Sequence, residues 1–138
     1  MTVYEFEIEH YHAWISIIIG GEIEDFKEYL KNKYGGRMPI MWSWDERVYA
    51  KDMHSTDAWQ MHVNYKSLDQ DEIFYMWVTE NRAGLRQHEI EHLTGDILFV
   101  RGFKYSKDSE EAWAYLNGEI SQRLEDLMKS DKIVINEN

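Results

Sequence analysis

The sequence predicts an α+β fold: a small mixed or antiparallel sheet packed by helices in a single domain spanning 1–138. Three observations predict it. Apolar residues recur with a two-residue period in most legible stretches up to Thr79, the mark of strands. After Asn81 the period changes to that of helices and stays there. With 138 residues, 43% hydrophobic and 14% aromatic, the chain has enough apolar surface for one core and little room for a second.

The elements follow in order. Val3 to Glu9 alternates apolar and charged residues, as a half-buried strand does. Tyr11 to Ile19 reads as a second strand, and Ile17-Ile18-Ile19 implies burial on both faces. Gly20-Gly21 ends it. Glu22 to Tyr34 reads as a helix, with Ile23, Phe26, Leu30 and Tyr34 at helical spacing, acids at its start and lysines towards its end. Arg37 to Ala58 carries no clear period; Pro39, Trp42 and Trp44 lie there, and short strands or a loop are expected. Trp59 to Tyr65 and Ile73 to Thr79 read as strands joined by a polar turn. Asn81 to Arg101 is a helix with Ile90, Leu93, Ile97 and Val100 on one stripe, closed by Gly102. A last helix runs from about Ser109 to Lys129, and the tail after it is expected to form a short strand or to fray.

Composition excludes several functions. The chain holds 26 acidic and 15 basic residues, a formal charge of −11, so its surface repels nucleic acid and anionic membranes. Without cysteine there is no disulfide framework, thiolate metal site or thiol nucleophile, and a metal must be held by His, Asp or Glu. No apolar run reaches membrane-spanning length and no basic leader opens the chain, so a cytoplasmic protein is expected. The sequence carries no signal for oligomeric state.

The chemistry concentrates in His88-Glu89-Ile90-Glu91-His92, an H-E-x-x-H pattern inside a predicted helix. Residues i and i+4 lie one turn apart on one face, so both imidazoles can reach one ion. The ligand set suits Zn2+. Glu89 then stands at the edge of the site, where it can take a proton from activated water. Glu91 must face solvent. Against this stands the plainer reading, a solvated helix face that happens to carry two histidines.

A third protein ligand is needed for a catalytic zinc. The motif, followed after eighteen residues by Glu111-Ala112-Trp113-Ala114-Tyr115-Leu116, resembles the gluzincin layout and small HExxH proteins encoded by phages and prophages. The likeness covers about the last 60 residues well and the first 70 in general layout only. It implies a zincin-like fold, peptidase chemistry on a peptide or protein substrate, Glu111 as the third ligand, and host cytoplasm as the compartment if phage-encoded. Where thermolysin-like relatives carry an aspartate four residues after that ligand, this chain has Tyr115. Glu110 rivals Glu111, because Glu111 shares a helix face with Tyr115 and Gly118 that either packs on the HExxH helix or faces water.

Other polar residues are candidates for support. Asp96, one turn beyond His92, is too far from His88 to share its metal and suits a supporting role. His10 and His12, on one face of a predicted strand, read as surface histidines. His54, His62, Tyr105 and Tyr115 are candidates for stabilising an oxyanion. The strand Ile73 to Thr79 is expected to be the edge on which an extended peptide lies, with Phe74, Tyr75 and Trp77 lining the cleft. Two other functions compete: a non-catalytic acidic binding protein, such as an inhibitor or DNA mimic, and a zincin remnant that keeps its metal without catalysis.

Overall fold

The computed structural model describes residues 1–43, 46–48, 57–63 and 72–137. Among the described residues, six strands and three α-helices make a mixed α+β fold. They are β1 (Thr2–Ile8), β2 (Ala13–Ile19), α1 (Ile23–Lys33), β3 (Met41–Ser43), β4 (Glu46–Val48), β5 (Ala58–Val63), β6 (Glu72–Val78), α2 (Ala83–Val100) and α3 (Glu110–Glu137). The strands form one sheet in the order β1-β2-β6-β5-β3-β4. Only β2 and β6 run parallel; the other neighbours are antiparallel.

Alternation along the central strands builds two cores. Ile15, Ile17 and Ile19 of β2, with Phe74, Met76 and Val78 of β6, face α2 and α3 and meet Ile90, Leu93, Ile97, Leu116, Ile120 and Leu124. On the other face, Ile18 of β2 and Tyr75 and Trp77 of β6 meet Ile23, Phe26 and Leu30 of α1. Phe26 stacks on Trp77 with ring centroids 5.7 Å apart. This explains the unbroken Ile17-Ile18-Ile19 run: successive residues feed opposite cores, and all three are buried.

Between β2 and α1, Gly20 and Gly21 take φ of 98° and 82°, a region that L side chains resist, and the chain turns there at low cost. The Gly20 N–H also bonds to the Val78 carbonyl at 2.8 Å, fixing this corner to the end of β6.

Several expectations need correcting. The strand over Ile73 to Thr79 is not an edge: β2 flanks it on one side and β5 on the other, because both of its faces are apolar and both need cover. Phe74, Tyr75 and Trp77 are fully buried in the two cores and line no cleft. His10 and His12 do not lie on a strand. His10 belongs to a 3-10 turn, Glu9–Tyr11, and His12 takes the left-handed conformation (φ 48°) that reverses the chain into β2. The tail is neither strand nor frayed but continues α3 to Glu137. Within 37–58, β3 and β4 pair as a short hairpin. Trp44, His54 and Tyr65 lie outside the described residues.

Candidate metal and cleft site

Three neighbours claim different flanks of α2, and this division positions the motif. Ile90, Leu93 and Ile97 face the sheet. Gln87 faces α3, where its amide nitrogen donates to Ser121 Oγ at 3.0 Å. Asp96 faces β5, where its Oδ2 accepts from Gln60 Nε2 at 2.5 Å and lies 2.6 Å from His62 Nδ1. With a carboxylate as partner, His62 Nδ1 carries the proton. His88 and His92 take the remaining, exposed side, and Glu91 is exposed beside them.

The two histidines converge. Their Nε2 atoms are 3.2 Å apart and their rings stand edge to face, with centroids separated by 4.8 Å. Two imidazole nitrogens, each about 2.0–2.1 Å from one tetrahedral zinc, lie about 3.3 Å apart. The separation of the pair matches that spacing.

Glu89 differs from both neighbours in sequence. It is 8% exposed, turned towards β5, and shares with His92 the wall of a cavity of about 320 Å3. Ser43, Ala58, Trp59 and Gln60 complete the wall. Burial pushes the Glu89 carboxyl above its usual range, against the pull of His92 and His88, which favours the charged form. A carboxylate raised in this way, beside two imidazoles and open to a cavity, is suited to take and return a proton.

The outer edge of β5 borders the same cavity. The bond from Thr79 N–H to Asp57 O (2.9 Å) sets the phase of its ladder with β6, so Trp59 and Met61 bond towards β6. Ala58, Gln60 and His62 then direct their N–H and C=O groups the other way. On that side β3 pairs only at Met41↔Val63 and Trp42↔His62. Among the described residues, no strand pairs with the outer edge of β5 at Ala58 and Gln60.

The other sequence candidates are scattered. Glu111 is exposed on the first turn of α3, together with Tyr115 (75% exposed) and Gly118, so that face meets water rather than α2. The α3 ridge that meets α2 carries Asn117 and Ser121, and Glu110 falls on that ridge by helical spacing. Among the described residues, no group of three or more His, Asp or Glu side chains forms a metal cluster. Glu111 is thus not brought together with His88 and His92. Tyr105 is 71% exposed and packs edge-on against Trp113. His62 is fully buried and bonds to Asp96 rather than opening on the cavity. Gln60 and Ser43 are residues that sequence reasoning missed, because nothing in a short polar position of a strand signals what lies across from it.

Comparison with known proteins gives no match: no protein-family model, no curated protein and no solved structure matches the chain.

Proposed function

We propose that this protein is a zinc-dependent metallopeptidase, with His88 and His92 as metal ligands and Glu89 as general base. The observation that carries the reading is the 3.2 Å convergence of the two Nε2 atoms, with Glu89 between them in sequence and buried against the cavity. A zinc ion on this pair would supply Lewis acidity and lower the pKa of water towards neutrality. Glu89 takes a proton from the attacking water and returns it to the leaving amine. Its burial keeps bulk water from competing for the carboxylate.

A peptide substrate is supported by the outer edge of β5, with which no strand pairs at Ala58 and Gln60 among the described residues. An extended chain hydrogen-bonds to outward backbone groups such as those of Ala58 and Gln60. Laid there, it passes along the cavity that Glu89 and His92 line. A third protein ligand does not stand beside the pair among the described residues; the likeness to gluzincins names Glu111, whose exposed face would have to turn towards α2 to serve.

The test is zinc content per chain together with hydrolysis of an unfolded protein such as reduced, carboxymethylated lactalbumin. One zinc per chain with zinc-dependent cleavage is expected. No zinc after dialysis against excess metal would sink the reading. The formal charge of −11 supports a competing one, an acidic binding protein without catalysis. Such a protein keeps its effect on its partner when Glu89 is replaced by Gln.

A further inference from the structure

Gln60 is held in one orientation by a bond that leaves half of its amide unused. Its Nε2 donates to Asp96 Oδ2, and a carboxylate oxygen accepts only from the nitrogen end of an amide. Flipping the amide would set oxygen against oxygen. Asp96 is itself fixed, because the same Oδ2 is engaged by His62 Nδ1 and both side chains are fully buried. Gln60 Oε1 makes no hydrogen bond among the described residues and is not among the fully enclosed unpaired atoms. Gln60 lines the cavity beside Glu89 and His92.

The wall of this cavity therefore holds a fixed acceptor, Gln60 Oε1, next to a carboxylate. It selects ligands by their donors. We infer that Gln60 is a specificity-determining residue that accepts a backbone N–H of the bound peptide through Oε1, and that Asp96 is the positioning residue that enforces this polarity. The inference rests on the peptidase reading for its substrate class and adds a residue that reads the substrate. Polarity is the distinguishing feature. A site with a free amide rotor would take an ester oxygen as readily as an N–H, whereas the Asp96-locked amide penalises the ester, because two acceptors then face each other.

The experiment uses the zinc-loaded protein and a mixture of N-acetylated, C-amidated heptapeptides with randomised side chains. In companion mixtures each backbone N–H in turn is replaced by an ester oxygen, and binding is read by ligand-observed NMR. At one position the ester should bind the parent protein about 10-fold more weakly than the amide. Q60M should bind both forms alike. D96A should lose the discrimination, because without the carboxylate oxygen the Gln60 amide can turn either end to the cavity. Equal binding of amide and ester at every position of the parent, or discrimination that survives both Q60M and D96A, overturns the inference; so does failure of any peptide to bind. Cleavage of the same mixture is scored separately. Discrimination without cleavage counts against the catalytic reading alone, and cleavage without discrimination counts against Gln60 alone.

Discussion

Asp96 of α2 and His62 of β5 meet with Oδ2 and Nδ1 2.6 Å apart, both fully buried, and so tie the helix that carries the HExxH motif to the strand that borders its cavity. Asp96 lies one turn beyond His92, and Gln60 shares the same oxygen. Removing the carboxylate strands two buried donors. D96A should therefore lose about 3 kcal/mol of stability in urea unfolding, the cost of breaking one side of a buried polar pair. D96N keeps an oxygen for His62 and should lose about 1 kcal/mol. A D96A protein as stable as the parent would show that the junction carries no stability.

Glu89→Gln tests the chemistry directly. The amide preserves size and leaves His88 and His92 untouched, so zinc content should stay at the parent level. Turnover of a carboxymethylated protein should fall by at least about 100-fold, the lower range for loss of a general base. Undiminished hydrolysis with zinc bound removes Glu89 from the mechanism. An unchanged effect on a binding partner, without any hydrolysis by the parent, favours the acidic binding protein.

The third ligand is tested by zinc retention. In competition with a chelator, H88A and H92A should each lose zinc, since the converging pair is reduced to one nitrogen. On the gluzincin likeness E111A should weaken zinc retention and E110A should not. The reverse pattern would hand the role to Glu110, which shares the α3 ridge of Asn117 and Ser121. If neither replacement matters, the first turn of α3 supplies no ligand.

How much of this was legible in the sequence follows from the range of each signal. The period change at Asn81 located α2 within two residues of its observed start, and the spacing of His88 and His92 gave their shared face. These are local properties. The place of β6 in the sheet is not local: its apolar run does not name the strands that lie beside it. The Gln60–Asp96–His62 junction joins residues 34 and 36 positions apart, and no short-range pattern announces it. Of the two readings of the Glu111 face, packing on α2 or facing water, the structure has the second. The contact between the helices is made by Leu116, Ile120 and Leu124 within the core and by Asn117 and Ser121 beside Gln87.

Away from the site, Glu5 of β1 offers a test of electrostatics with a defined sign. Its Oε1 accepts from Ser16 Oγ at 3.1 Å, Lys33 Nζ at 3.2 Å and Tyr29 OH at 3.3 Å, joining β1 to β2 and α1. Burial alone pushes this carboxyl up, but the bond and charge of Lys33, with Ser16 and Tyr29, outweigh it and hold the carboxyl below its usual range. The folded state thus favours the ionised form. Its contribution is full above the unfolded value of about 4.3 and is lost as pH falls through the lower folded value. Lys33 is shifted up, so the pair also fades at alkaline pH as the ammonium loses its proton. The two side chains are 38% and 27% exposed, and solvent screening limits the effect. E5Q should be less stable than the parent by about 0.5 kcal/mol at neutral pH. In urea unfolding followed from pH 7 downwards, the two curves should converge below about pH 3. They should also approach each other in about 1 M salt at neutral pH. A difference that persists unchanged at low pH would mean that Glu5 acts by packing rather than by charge.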